Sequence, residues 1–137
     1  MNKYIEMKQR QEQDFRRLIK SATNDTEFKT MLKEFGLSED DTDAVINIGD
    51  NNYIRRSDLP VFRAIGEKHI QERNELIKND KKGNEFIYQM FLKELNRFDF
   101  GYTGEVYKAL NYLGFTMNEV KSDPALSYGF NLAVSKF

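Results

Sequence analysis

Residues 83–115 read GNEFIYQMFLKELNRFDFGYTGEVYKALNYLGF, and this stretch decides the fold. Phe86, Ile87, Met90, Phe91, Leu95 and Phe98 recur at i, i+3/i+4 spacing, while Tyr88 and Leu92 add a second apolar face. A helix that is apolar most of the way round is central, wrapped by other helices. It speaks to architecture rather than chemistry, because it holds no nucleophile, metal-ligand set or phosphate cradle.

Downstream, Asp99-Phe100-Gly101-Tyr102-Thr103-Gly104 reads as a tight aromatic loop with two glycines supplying positive φ. Val106, Ala109, Leu110 and Leu113 then face inward from a further helix. Gly114-Phe115-Thr116 with Glu119 is a helix stop, an apolar staple and a capping box. Asp123-Pro124 restarts the chain into a terminal helix with Leu126, Phe130, Leu132, Ala133 and Val134.

Upstream, Ser57-Asp58-Leu59-Pro60 opens the longest helix, whose buried stripe is Phe62, Ile65, His69, Ile70, Leu76 and Ile77, running to Asn79. Residues 45–55 form the one β-like place, a short hairpin of Val45–Ile48 and Tyr53–Arg55 around Gly49-Asp50-Asn51-Asn52. Ser38-Glu39-Asp40-Asp41 after Leu37 carries the same grammar as Thr116–Glu119 and reads as a helix start. Phe28, Met31, Leu32 and Phe35 give a short helix capped within Thr23–Thr26 and ended by Gly36. From Lys3 to about Lys20 a thin seam of Tyr4, Met7, Phe15 and Leu18, continuing to Ala22, predicts a helix packed along its C-terminal half. Its first turns are expected to fray or to pair with a second copy of the chain. The expected fold is mainly α (α+β at most): one domain, 1–137, a compact bundle of about six helices around the central one, with a small β-hairpin.

The 137 residues suit one core. Aromatic content of 13% supplies the bulky burial that excludes disorder despite 31% charged residues. A net charge of −1, with both signs interleaved, lacks the basic footprint of a duplex-binding protein. Without cysteine there is no disulfide, thiolate nucleophile or Cys-based zinc site. No apolar leader or membrane-length run is present, so a cytoplasmic protein is expected.

Four candidate sites can be weighed against structural readings. Leu110–Val120 imitates a helix-turn-helix within 104–122, but Leu110 stands where a small residue eases helix crossing, and Glu119 and Asp123 lie where phosphates would. Glu39, Asp40, Asp41, Asp43 and Asp50 suggest a divalent cation, yet the EF-hand register fails at Asn47, Asn52 and Asp58, and helix-dipole compensation explains the acids better. His69, the single histidine, sits on an apolar stripe; as a base it needs a partner, for which Glu72 and Glu94 are the nominees. Arg55 and Arg56 beside Tyr53 have the residue types that anchor interfaces, and Tyr102 raises the same question. No catalytic residue, metal or cofactor is assigned. Tyr53, Arg55, Arg56 and Tyr102 are the candidate partner-binding residues.

Met7–Gln11, Gly36-Leu37, Asp41–Asp43, Ile48-Gly49, Tyr53–Asp58, Phe86–Phe91, Glu94-Leu95, Tyr102–Gly104, Ala109-Leu110 and Leu113–Thr116 together resemble a small uncharacterised family carried by phages and mobile elements of Gram-positive bacteria. Two departures from that family's pattern are the absence of a Phe-Pro-rich stretch within Leu18–Glu27 and Phe98 in place of a histidine. The resemblance implies a non-catalytic accessory protein that binds a host protein, with modulation or inhibition of a host enzyme or defence nuclease as its leading form. A DNA-binding regulator using 104–122 is the alternative, and an enzyme of unknown type the third reading.

Overall fold

The computed structural model describes residues 2–137. In chain order the described residues form α1 (Lys3–Arg16), β1 (Lys20–Ser21), α2 (Asp25–Glu34), β2 (Val45–Gly49), β3 (Asn52–Arg55), α3 (Leu59–Asn79), α4 (Phe86–Arg97), α5 (Phe100–Thr103), α6 (Tyr107–Leu113), α7 (Met117–Ser122) and α8 (Pro124–Val134). The protein is therefore mainly helical, with one small antiparallel sheet. Contacts gather into two compact units: residues up to Gln9 with Gln71–Phe137, and Arg10–Ile70.

In the first unit α4 is the central element that its periodicity predicts, with Phe86, Ile87, Met90, Phe91, Glu94 and Leu95 all buried. α8 lies against it at a distance only glycine permits. A Cβ on Gly129 would stand 2.5 Å from both the Gly83 carbonyl oxygen and Ile87 Cγ2, and one on Gly83 would stand 2.0 Å from the Ala125 carbonyl oxygen. The entry to α4 is tied by one carboxylate. Asp80 accepts from the backbone N–H groups of Gly83, Glu85 and Ile87 at 3.0, 3.1 and 3.0 Å. Removing it would orphan donors in a helix start whose N-cap residue, Glu85, adds no side-chain cap of its own. Asp80→Ala is expected to cost about 2 kcal/mol, measurable as a lower denaturation midpoint at unchanged slope.

Around α4, Ala109, Leu110 and Leu113 of α6, Val120 of α7 and Leu126, Phe130 and Ala133 of α8 complete one apolar cluster. Phe91 meets Phe130 edge to face, with ring centroids 5.3 Å apart. The Thr116–Glu119 capping box forms as its sequence predicts. The expectation for α1 holds for its C-terminal half, where Phe15 packs on Phe62, but its first turns differ: Tyr4 and Met7 are buried in this cluster rather than left with little to bury. The loop after α4 also differs: Gly104 has positive φ, but the other left-handed residue is Asp99 (φ 62°) rather than Gly101.

In the second unit Ala22, Met31, Leu32, Phe35 and Val45 form a smaller core, with Phe28 and Tyr53 against it. The hairpin turns on Asp50 and Asn51, both with positive φ, as the short polar side chains of a primed turn allow. It is not a lone hairpin. α1 stops at Arg16, and Lys20 and Ser21 pair antiparallel with Tyr53 and Asn52, giving the sheet order β1-β3-β2. The third strand supplies the support that two strands lack. The helix start expected at Ser38 does not develop: Asp41 accepts from the Ser38 N–H, but only a 3-10 turn at Thr42–Ala44 follows before β2 pulls the chain straight. α3 begins as its Pro60 predicts, yet its stripe is half-buried at best, and Ile70 is 54% exposed.

Three exposed carboxylates are held below the ordinary value of 4.5 by local donors: Glu27 by Thr23, Glu39 by the Lys33 ammonium, and Glu119 by the Thr116 backbone and hydroxyl. Folding depresses each, so their contribution is present above that value and fades as pH falls through the depressed ones. Melting temperature should therefore decline below about pH 4.5, and a Glu27→Gln, Glu39→Gln, Glu119→Gln variant should flatten that decline in a thermal-melt series.

Candidate functional site

The last turn of α4 gathers the densest set of polar and aromatic side chains in the first unit. Helical spacing builds it in two layers. Tyr4 and Lys8, at i, i+4, share one face of α1, and Glu94 and Arg97, at i, i+3, share one face of α4. In the inner layer the Tyr4 hydroxyl donates to Glu94 Oε2, both groups buried. In the outer layer Lys8 Nζ donates to the Tyr112 hydroxyl at 2.8 Å, and the Arg97 guanidinium lies 4.5 Å from the Tyr112 ring centroid and 5.2 Å from that of Phe98.

The inner layer is an unusual thing to bury. Glu94 is 2% exposed, its Oε1 has no hydrogen bond, and the nearest described cation is Arg97 at 3.6 Å. Burial, then the hydrogen bond to Glu94, push the Tyr4 phenol far above its ordinary value. Tyr4 is therefore a permanent donor. Arg73 approaches from α3, donating to the Leu113 carbonyl and lying over the Phe115 ring at 5.2 Å, with its Nε buried and without a hydrogen bond. Burial lowers its guanidinium pKa. Arg97 moves the other way, raised first by its hydrogen bond to Tyr112.

Beyond Arg97 the chain turns at Phe98 and left-handed Asp99 into α5, a single helical turn. Phe100 is fixed edge to face on Phe137 at 5.1 Å. Two residues further on, Tyr102 is 94% exposed.

The other sequence-predicted residues lie in the second unit, where Tyr53, Arg55 and Arg56 are consecutive or nearly so on β3 and its exit. The Tyr53 ring packs edge to face on Phe28 at 5.4 Å. Arg55 Nε donates to Asp58 Oδ2 at 2.9 Å and its guanidinium lies over Phe35, while Arg56 Nε donates to the Asp43 carbonyl at 2.8 Å. These three side chains are tied to neighbouring groups on the sheet's central strand and its exit. His69 Nε2 lies 2.8 Å from Asp14 Oδ2, with its ring edge-on to Phe15; the partner is neither of the sequence nominees. Glu39 pairs with Lys33 at 3.0 Å, and the described residues hold no group of three or more His, Asp or Glu placed to bind a metal ion. In the helix-turn-helix-like segment Gly114 is left-handed as a turn requires, but α7 has six residues, with Val120 buried and Glu119 committed to its own cap.

Sequence reading singles out Tyr102 and Glu94 but misses Lys8, Arg97 and Tyr112. A carboxylate among the apolar positions of α4 is the available signal that something polar awaits it. A family model described as a family of unknown function (DUF7659) matches residues 3–136. No curated protein and no solved structure matches the chain.

Proposed function

The chain belongs to the DUF7659 family, a family of unknown function, and from that premise we propose that it is a non-catalytic accessory protein that acts by binding another protein. Its proposed binding surface is centred on Tyr102 of α5, with Arg97 at the end of α4 and Tyr112 of α6 as further members. One observation carries the reading: Tyr102 is 94% exposed on a turn that left-handed Asp99 and the Phe100–Phe137 contact hold in place. Tyr and Arg on a fixed frame are the residues that dominate interface energetics, since large area is gained at small cost in ordering. No described helix is long and apolar enough to cross a membrane. The proposed setting is the host cytoplasm, and the resemblance to proteins of phages and mobile elements makes a host enzyme or defence nuclease the proposed target.

The test is capture from nuclease-treated bacterial lysate, followed by titration of the purified captured protein against wild type and Tyr102→Ala. Loss of at least tenfold in affinity is expected for Tyr102→Ala, about 1.4 kcal/mol or more for an anchoring tyrosine. Because the Tyr102 side chain is almost wholly exposed, the variant's thermal melt should match wild type. Equal affinity of the two would remove this surface. Tyr53→Ala, Arg55→Ala, Arg56→Ala serves as the competing variant, and loss confined to it would move the interface to β3 and its exit.

A further inference from the structure

The outer layer of the α4 site carries a charge pattern that its internal contacts leave unbalanced. Lys8 and Arg97 gather on one neutral side chain: Lys8 Nζ donates to the Tyr112 hydroxyl at 2.8 Å, and the Arg97 guanidinium lies 4.5 Å from the Tyr112 ring centroid. Arg73 adds a third cation behind them, half-buried against Phe115. Facing them is Glu94 in the buried layer beneath, which accepts from Tyr4 and lies 3.6 Å from Arg97, one carboxyl group beside three cations. Two cations gathered on one neutral side chain repel one another, and an anion with two oxygens relieves that repulsion while accepting from both. The cations are also placed before any ligand arrives: Arg97 is held over the Phe98 and Tyr112 rings, whose centroids are 5.7 Å apart, and Lys8 lies 5.3 Å from the Tyr112 centroid. An arginine fixed over aromatic faces keeps its N–H edge directed and loses little freedom on binding a planar carboxylate.

We propose that Lys8, Arg97 and the Tyr112 hydroxyl form a receptor for one carboxylate side chain, an Asp or Glu, of the bound protein. The inference rests on the proposed binding function and specifies its chemistry. A peptide carboxylate matches this site better than a nucleotide phosphate. The anchors are long side chains on an open ledge, with Tyr112 42% and the Arg97 side chain 51% exposed, whereas phosphate cradles are built from converging backbone N–H groups. The hydroxyl of Tyr112 adds a donor once its proton is free to turn toward the incoming oxygen.

The experiment is a titration of 15N-labelled protein with a blocked Phe-Glu-Phe peptide at low salt, followed through the Arg97 Nε–H signal, with Phe-Gln-Phe and inorganic phosphate as parallel probes. Expected are a saturable shift with Phe-Glu-Phe only, at least fivefold weaker binding at tenfold higher salt, and loss of the shift in Lys8→Gln and Tyr112→Phe. Both variants leave Glu94, Arg97 and Tyr4 in place, so unchanged circular dichroism shows that the fold persists. Equal response to Phe-Gln-Phe, no response to Phe-Glu-Phe, or phosphate competing as strongly as the peptide overturns the carboxylate receptor. If the captured protein binds Lys8→Gln and Tyr112→Phe as tightly as wild type, the receptor falls while the binding function stands. If the peptide titrates as expected but Tyr102→Ala leaves the captured protein's affinity intact, the receptor stands and the Tyr102 anchor falls.

Discussion

Gly83→Ala is expected to unfold the α4–α8 unit or leave it marginal. Its new Cβ would stand 2.0 Å from the Ala125 carbonyl oxygen, inside any contact that side-chain rotation can relieve, because the obstacle is backbone. The residue also has φ of +91°, which an L side chain resists. Overpacking and conformational strain together amount to about 4 kcal/mol, a large fraction of the roughly 5–15 kcal/mol that holds a domain together. Gly129→Ala meets the same obstacle from the other side, 2.5 Å from the Gly83 oxygen and from Ile87 Cγ2. Gly66 is the control. It lies inside α3, where an added methyl group would have nothing within 4 Å and φ is ordinary, so Gly66→Ala should stabilise by about 0.5–1 kcal/mol. In denaturant melts the first two variants should lose stability and the third gain it, and a Gly83→Ala protein as stable as wild type would refute this packing of α8 on α4.

The second large effect concerns the carboxylate under the site. Tyr4→Phe removes the one described hydrogen bond to Glu94, leaving a carboxyl group only 2% exposed with Arg97 3.6 Å away as its remaining partner. Breaking a buried polar pair from one side costs about 3 kcal/mol, because the surviving partner keeps its desolvation penalty. Removing both sides is different. Tyr4→Phe with Glu94→Met replaces the pair by apolar groups of similar size and should recover most of the loss, leaving a net cost of about 1 kcal/mol or less. A double-mutant cycle on denaturation midpoints measures the coupling directly. Additive losses would show that Tyr4 and Glu94 do not act as a pair.

Why is so much of the fold legible in the sequence, and so little of the site? The central helix announces itself because Phe86, Met90 and Phe91 repeat at the helix's own period, and the hairpin because Asp50 and Asn51 are chemically suited to left-handed turns. Local chemistry fails where a neighbour competes. Thr116 and Glu119 cap a helix, while the same arrangement at Ser38 and Asp41 yields only a turn, because the β-branched Val45-Ile46 run immediately after it is claimed by the sheet. β1 has two residues and no alternation to read; its strand character comes wholly from the edge of β3. The site is harder still. Lys8, Arg97 and Tyr112 come from three helices, each on a face that in isolation reads as solvated. The buried end of α1 misleads for a related reason: Tyr4 counts as polar or apolar according to whether its hydroxyl finds an acceptor, and that acceptor lies 90 positions away.

The discontinuity of the first unit bears on the order in which a ribosome delivers its parts. Arg10–Ile70 is one unbroken segment, so α2, the sheet and their small core can assemble once those residues have cleared the exit tunnel. The α4 unit has no such freedom. Tyr4 and Met7 are made before the rest of that unit, yet the cluster that covers them includes Phe130 and Ala133 of α8, and the Tyr4 hydroxyl waits for Glu94, 90 positions later. At roughly 5–20 residues per second, the first turns of α1 wait several seconds with their apolar face uncovered. Until α8 arrives, that face is an uncovered apolar surface of the kind that holdase chaperones bind.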